Sequence, residues 1–292
     1  MSSQQINSSD LLKEPEDLSR KKVSIIMLVH NGKSFTKNAL KTLYDSTNYS
    51  PCELILVDNA SDKATEQWLL EEAKDRGFIY LRNEENKGFV QAVNETIPVC
   101  HGEYICLVNN DVLFTENWLS KLVNAIELPK VGISTPLRMD GVTHQSVPKL
   151  IKEYPFLVDP RHIMKETEQW DRITSERYNK ALEKDLKGRV FYTKDYVAFY
   201  CVLIKKELID KIGLLDDRFA PGFGEDNDYC RRTIEAGYSI VVCVDTFVFH
   251  YAMATWRYIY PGAELQEAME KGYQKYKNKY CEEDEAVSND RR

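Results

Sequence analysis

The sequence lacks the features of a membrane-spanning, secreted or disulfide-stabilised protein. No stretch of the 292 residues approaches the roughly 18 consecutive apolar residues of a membrane span. Residues 1–20 are polar and contain no signal-peptide core, so we expect a mobile leader there. The seven cysteines form no CxxC pair, and four of them lie within apolar runs, as core residues do: Cys52, Cys106, Cys201 and Cys243. These absences predict a cytoplasmic protein from a reducing compartment.

Positive charge and glycine-rich loops are also scarce. Lys and Arg number 39 against 46 Asp and Glu, which gives a formal net charge of −7. Such a chain lacks the basic surface needed for many phosphate contacts, so no nucleic-acid partner is expected. The segment HNGKS, at residues 30–34, has too few glycines for a P-loop, which argues against a nucleotidyltransferase. An anionic small ligand would need a local cation or a metal ion.

What the chain does contain is an alternation of strand and helix patterns. The apolar runs predicted as strands in the first half are 23–29, 52–58, 78–82, 104–108 and 131–135. Helical patterns separate them, which predicts a parallel, doubly wound α/β sheet through about residue 135. Ligands bind such sheets at the carboxyl ends of the strands. Polar residues follow three of these strands and should face one crevice: His30-Asn31, Asp58-Asn59 and Asn109-Asn110-Asp111.

The second half of the chain is less regular. Residues 140–195 are charge-dense and show no strand alternation, with one surface helix predicted from Trp170, Ile173, Ala181 and Leu182. Three further strands are predicted at 198–205, 239–244 and 246–250. The pattern predicts a domain over 21–262, then a helix and an acidic tail over 263–292. That helix carries apolar and aromatic residues at helical spacing among lysines, which favours packing on the domain with a solvated basic face over contact with an anionic membrane.

Two aspartates that follow buried strands are candidates for chemistry. Asp111 is either a turn former or an oxygen ligand for Mg²⁺ or Mn²⁺, ions that bridge to substrate phosphates. Asp58 begins a segment that resembles a turn and a helix cap, and it is equally suited to accept a hydrogen bond from a base or ribose.

An acidic cluster and a histidine complete the candidates. One acid in the GFGEDNDYCRR segment is explained by capping of a helix, but Glu225, Asp226 and Asp228 together would repel one another. A carboxylate in such a cluster can have a raised pKa and act as a general base. His250 ends an apolar strand and is either a boundary residue or a metal ligand.

The order and spacing of these candidates resemble those of the inverting family-two glycosyltransferases with the GT-A fold. The similarity covers residues 22–252 and is greatest to the branch that includes bacterial rhamnosyl- and other cell-surface glycan transferases. It rests on the segments SIIMLVHNG, LILVDNAS, NEENKGFVQAVN, GEYICLVNNDVLF, GFGEDNDYCRRTIEAGYSIVVC and VFH. The resemblance implies a single α/β domain in which a Rossmann-like nucleotide-binding half, 21–135, is fused to an acceptor-binding half, 136–262.

The resemblance also implies a role for each matching residue. The donor nucleotide would be bound by Asp58 at its nucleoside, by the backbone of Val29, His30 and Asn31, by Asn86, Lys87 and Gly88 at the pocket border, and by Asn109 and Asn110. Asp111 would be the last acid of a DxD motif and bind Mn²⁺ or Mg²⁺, with His250 as a second metal contact. Asp226 would be the general base, with Glu225 beside it. Asn109 departs from the motif, which has Asp at that position.

The activity implied is transfer of a hexosyl or deoxyhexosyl group in polysaccharide biosynthesis. The donor would be a UDP- or dTDP-sugar, and the acceptor a glycan or lipid-linked saccharide. The C-terminal helix would be the point of any peripheral contact with the inner face of the membrane. The alternatives are an inactive GT-A scaffold that binds nucleotides or glycans, which Asn109 favours, and a flavodoxin-like module, which leaves the acids at 225–228 unexplained.

Overall fold

The computed structural model describes residues 22–47, 52–139, 143–153, 171–252, 259–260 and 262–290. The predicted leader, 1–20, lies outside these ranges. The sequence also predicts a positive contact from Arg257, which follows His250 closely, and this residue lies outside the described ranges too.

The described residues build one domain around an eight-stranded mixed sheet. Its strands are β1 (Val23–Val29), β2 (Cys52–Asn59), β3 (Ile79–Asn83), β4 (Tyr104–Asn109), β6 (Val131–Leu137), β7 (Val190–Thr193), β8 (Cys201–Lys205) and β9 (Ser239–Phe247). They are arranged in the order β3-β2-β1-β4-β8-β6-β9-β7. The short strands β5 (Val112–Leu113) and β10 (Phe249–His250) form a separate antiparallel pair.

Half of the sheet has the predicted parallel arrangement. Strands β3, β2, β1 and β4 are parallel neighbours, and all four match predicted apolar runs. The fifth predicted strand, β6, runs in the same direction as these four but is not their direct neighbour, because β8, which the prediction of a parallel sheet did not include, lies antiparallel between β4 and β6. A continuous apolar run shows that a strand is covered on both faces, but it carries no information about direction.

Helices cover both faces of the sheet. They are α1 (Lys33–Ser46), α2 (Lys63–Arg76), α3 (Gly88–Thr96), α4 (Trp118–Ile126), α5 (Val147–Glu153), α6 (Arg172–Leu186), α7 (Lys206–Ile212), α8 (Glu225–Glu235) and α9 (Ala263–Asp290). Both ends of α2 are capped: the Asp62 side chain accepts hydrogen bonds from two backbone N–H groups, and Gly77 ends the helix in the left-handed region.

The core is divided into two layers by the sheet. Alternate residues of β1 enter opposite layers: Ile25 and Met27 pack with α1, α2 and α4, whereas Ile26 packs with α3, α6 and α8. Among the described residues, Trp118 is the largest fully buried side chain. This two-sided burial explains why the β1 run is apolar at every position except Ser24.

Several predictions for the second half need correction. Residues 140–195 contain a strand, β7, which pairs with β9 at the edge of the sheet. The two strands predicted at 239–250 are one long strand, β9, followed by the short β10. Helix α9 continues through the predicted acidic tail to Asp290.

Two corrections concern individual side chains. Cys52 is exposed at the start of β2, unlike the other three cysteines assigned to the core. Lys279, in the predicted solvated face of α9, is buried. Within the described ranges, no helix combines the length and the apolar character that crossing a bilayer requires.

Candidate active site

A cavity of about 750 Å³ opens at the carboxyl edge of the sheet. That volume lies within the range of small-molecule and cofactor sites. Nine of the predicted site residues line it: His30, Asn86, Gly88, Asn109, Asn110, Asp111, Glu225, Asp226 and His250. The structure therefore brings most of the candidates together, although they come from segments far apart in the chain.

The sheet topology explains this convergence. Strands β1, β2, β4, β6 and β9 run in one direction, so the residues after them meet at one edge. The strand β8 is antiparallel, so its first residue lies at this edge: Cys201 pairs with Val108 near the end of β4. The residues before β8 therefore reach the same cavity. The first turn of α8 brings Glu225 and Asp226 to it.

Asp111 and His250 meet because β5 and β10 pair. The ladder places His250 opposite Val112, and the Tyr251 N–H donates to the Asp111 carbonyl at 2.9 Å. As a result, His250 Nε2 lies 3.2 Å from Asp111 Oδ1, and both side chains are buried. Asn109 Nδ2 lies 3.3 Å from the same histidine nitrogen. Asn109, where a DxD motif has Asp, thus belongs to the same cluster.

The donor set at this cluster fits a divalent metal. Two ligands at right angles, each about 2.1 Å from an octahedral ion, are about 3.0 Å apart, close to the separation of these two atoms. Among the described residues, no group of three or more His, Cys, Asp or Glu side chains is arranged to hold a metal. Asp111 and His250 would therefore supply a minority of the ligands, and Mg²⁺ or Mn²⁺ completes such shells with phosphate oxygens and water.

The ring of His250 is held by packing. It stacks on Tyr200, with centroids 5.0 Å apart and an angle of 17° between the planes. Its Nδ1 is buried and has no hydrogen-bond partner among the described residues. The stacking fixes the ring with its Nε2 towards Asp111.

Glu225 and Asp226 form an acidic pair at the start of α8. Burial and the neighbouring Asp226 carboxylate raise the pKa of Glu225, and burial also raises the pKa of Asp226. Backbone N–H groups and the Arg138 guanidinium oppose the shift of the Asp226 pKa. Glu225 Oε2 has no hydrogen-bond partner in the described part of the chain. A carboxylate with a raised pKa at the cavity surface is suited to accept a proton from a bound hydroxyl.

The opposite wall is a hydrogen-bonded loop assembly around Asn59. Its side-chain amide donates to Asn86 Oδ1 at 2.8 Å, and its backbone carbonyl accepts from His30 Nδ1 at 2.8 Å. Gly88 adjoins the loop before α8, where a Cβ on it would lie 2.4 Å from the Pro221 Cβ. Only glycine fits there, which explains the glycine of the NKGF segment.

Four predicted donor-binding residues lie outside the cavity lining. Asp58 is fully buried, and its carboxylate accepts hydrogen bonds from the Ser61 N–H, the Tyr80 hydroxyl and Arg82. The others are Val29 inside β1, Asn31 bonded to the start of α2, and Lys87 paired with Glu95. The nucleoside role predicted for Asp58 remains a prediction.

Sequence reasoning missed several lining residues. Arg138 follows β6 and lies over the Tyr200 ring at 5.2 Å. A polar residue directly after a buried strand was the signal used for Asp111, and it would have found Arg138 if the strand had been extended to residue 137. A second missed set lies on one face of α9: Gln266, Met269, Glu270 and Tyr273. Their spacing was visible, but nothing in the sequence showed that this helix reaches the cavity.

Comparison with known proteins defines the class. Residues 24–213, more than half of the chain, match the description "Glycosyl transferase family 2". The chain belongs to this family. The O-antigen biosynthesis protein RfbC of Myxococcus xanthus is 24% identical over 240 residues, which cover 81% of this chain and 18% of that protein. The chain spans a quarter or less of the length of the two curated relatives that it matches over most of its own length.

Solved structures show the same fold. The crystal structure of GalNAc-T7 with UDP, GalNAc and Mn²⁺ has a TM-score of 0.59 at 16% identity, covering 81% of this chain and 44% of that one. Mannosyltransferase PcManGT from Pyrobaculum calidifontis, in complex with GDP-Man and Mn²⁺, has a TM-score of 0.56 at 18% identity, covering 84% and 64%. The predicted GT-A fold is thereby confirmed.

Proposed function

We propose that this chain is an inverting glycosyltransferase with a nucleoside-diphosphate sugar as donor. The observation that carries the proposal is the single cavity that joins the Asp111–His250 pair to the acidic pair at 225–226. Donor binding and proton abstraction need these two kinds of group within one site. The neighbours determined with UDP or GDP-Man and Mn²⁺ support the donor class.

Each side of the cavity has a role in the proposed reaction. Asp226 accepts the proton of an acceptor hydroxyl, whose oxygen attacks the anomeric carbon from the face opposite the nucleotide. The bond between that carbon and the diphosphate oxygen breaks, and the diphosphate leaves with the bonding electrons. Asp111 and His250 would hold Mn²⁺ or Mg²⁺, which as a Lewis acid offsets the charge that develops on the diphosphate. The wall at Asn59 and Asn86 binds the nucleotide.

Finer assignments rest on the resemblance and on RfbC. We propose that the donor is a UDP- or dTDP-sugar and that the transferred group is a hexosyl or deoxyhexosyl group. We also propose a rhamnosyltransferase-like role in polysaccharide biosynthesis. The acceptor would be a glycan or lipid-linked saccharide, reached from the cytoplasm. Peripheral membrane contact through α9 is a separate proposal, supported by its exposed Lys271 and Lys277. Loss of binding to anionic liposomes when the exposed Lys271 and Lys277 are both replaced by glutamine would support it, and absence of binding by the intact chain would remove it.

The replacement Asp226→Asn tests the proposed chemistry. It preserves size but removes the proton acceptor, so transfer should fall by about 10²–10⁴-fold. Asp210→Asn, on α7 outside the cavity lining, is the matched control. Near-normal turnover by folded Asp226→Asn would contradict the assignment of the base. The inactive-scaffold alternative is separated by donor hydrolysis without acceptor, since a pure binder releases no nucleoside diphosphate.

A further inference from the structure

Helix α9 forms a wall of the cavity that the reaction described above does not use. Four side chains on one face of this helix line the cavity together with Asp226: Gln266, Met269, Glu270 and Tyr273. Their spacing of three, four and seven residues is that of one side of a helix. The nucleotide-binding loops and the metal-binding pair come from other elements, so this wall is available to the second substrate.

We propose that α9 is the acceptor-binding wall, that Tyr273 and Met269 contact the acceptor, and that the sugar bound there is neutral. This inference rests on the proposed transferase function and deepens it, because it assigns a site and a chemical class to the acceptor.

A close backbone approach sets the position of this wall. A Cβ added at Gly272 would lie 2.4 Å from the Phe223 carbonyl oxygen and 2.5 Å from its Cβ. One added at Gly224 would lie 2.9 Å from the Gly272 carbonyl oxygen. Helix α9 therefore packs directly on the residues that precede Glu225. The absence of a side chain at position 272 brings Met269 and Tyr273 to the acidic pair.

Buried charges fasten the same helix to α8. Asp228 is fully buried, and it accepts hydrogen bonds from the Lys279 ammonium and from the Tyr280 hydroxyl, the latter at 2.7 Å. Lys279 also pairs with Asp216 at 2.9 Å. These contacts lie one to two turns beyond Tyr273, so the wall is a fixed part of the site.

The exposed apolar surface of the wall indicates what it binds. Met269 is 45% exposed and Tyr273 54% exposed, although both lie on an ordered helix that lines a cavity. An aromatic ring packs against the C–H face of a sugar ring, and a flexible thioether adapts to its edge. Gln266 and Glu270, on the same face, can exchange hydrogen bonds with sugar hydroxyls.

The charge of the wall selects against anionic acceptors. Asp226 lies where the reacting hydroxyl must bind, and Glu270 adds a second carboxylate to the cavity lining, whereas burial raises the pKa of Glu225 to about 8 and keeps that side chain mostly uncharged near neutral pH. A uronate or phosphate group there would be repelled. The Lys277 ammonium lies 4.6 Å from the Tyr273 ring centroid but does not line the cavity. Arg138 also lines the cavity, and its guanidinium lies close enough to Asp226 to lower the pKa of that carboxyl, so its positive charge is offset by the Asp226 carboxylate.

The test uses p-nitrophenyl glycosides as probes. The full chain is first loaded with diamagnetic Mg²⁺ and with whichever of UDP, dTDP, GDP or CDP raises its melting temperature. Binding of the neutral glucoside, galactoside and N-acetylglucosaminide, and of the anionic glucuronide, is then measured by saturation-transfer NMR. Tyr273→Ala is compared with Gln274→Ala, an exposed neighbour that does not line the cavity.

We expect a neutral glycoside to bind and the glucuronide to bind at least about tenfold more weakly. Tyr273→Ala should weaken neutral binding about tenfold, while Gln274→Ala leaves it unchanged and both variants keep the nucleotide-dependent shift. Equal binding of the glucuronide, or equal behaviour of the two variants, would overturn the inference. A wild-type chain without any nucleotide-dependent shift would instead contradict the proposed function.

Discussion

Replacement of Lys279 by methionine should lower the free energy of unfolding by more than most single changes on a surface helix do. The side chain of Lys279 is 7% exposed and pairs with Asp228, which is fully buried. Removal of one partner from a buried ion pair costs about 3–5 kcal/mol, because the remaining charge is left uncompensated. Asp228 keeps two donors, Arg232 at 2.8 Å and Tyr280 at 2.7 Å. Since the Arg232 guanidinium still compensates the Asp228 charge, the expected loss is that of a hydrogen bond to a charged group, about 1.5–3 kcal/mol.

Methionine retains the apolar stem, so the loss reports the charge rather than packing. For a domain of this size, a loss of about 1.5–3 kcal/mol corresponds to a melting temperature lower by roughly 3–12 °C. Chemical denaturation and calorimetry measure the two quantities. Lys277→Met, at an exposed position two residues earlier, should stay within about 0.5 kcal/mol of the wild type. Equal stability of Lys279→Met and Lys277→Met would refute the account of how α9 is anchored.

Three further predictions concern the site. Burial raises the pKa of Asp226 to about 6, and the base must be ionised to accept a proton. The rate of transfer should therefore fall about tenfold per pH unit below that pKa. A rate that is constant between pH 7 and 4.5 would contradict this. Burial and the Asp226 charge raise the folded-state pKa of Glu225 above its ordinary 4.5 to about 8, so stability is lost as pH rises through that window. In Glu225→Gln, the free energy of unfolding should fall less steeply between pH 4.5 and 8 than in the wild type. An unchanged slope would contradict this assignment of the raised pKa. His250→Ala should weaken Mn²⁺ binding in the presence of nucleoside diphosphate about tenfold or more by calorimetry, whereas the exposed His101→Ala should not.

The parallel part of the sheet and much of the site could be predicted from the sequence. Strands β1, β2 and β4 are covered on both faces, so their residues are almost all apolar, and a polar residue marks each end. Because parallel strands end at one edge, convergence of His30, Asn59 and Asp111 follows from that pattern alone.

The remaining features depend on long-range packing that leaves little local signal. The direction of β8 is set by its neighbours β4 and β6, not by its own residues. Strand β7 (Val190–Thr193) has only four residues and lies at the sheet edge in a charge-dense region, so its apolar pattern is short. In the sequence, Lys279 looks like any solvated lysine of a helix. Only the structure shows that it is buried against Asp228 on α8. The place of α9 in the cavity depends on the contact between Gly272 and Phe223, which spacing along the chain cannot reveal.

The central claim is that the Asp111–His250 pair and the adjoining loops bind a metal-nucleoside diphosphate. The most direct measurement is the melting temperature of the wild type and of Asp111→Asn with UDP, dTDP, GDP or CDP, each with and without Mn²⁺. Asp75→Asn, at an exposed position on α2, is the control. One nucleotide should stabilise the wild type and the control only with Mn²⁺, by about 2.7 kcal/mol at a hundredfold excess over Kd, and Asp111→Asn much less. Folded wild-type protein that no nucleotide stabilises, with or without Mn²⁺, would contradict the claim.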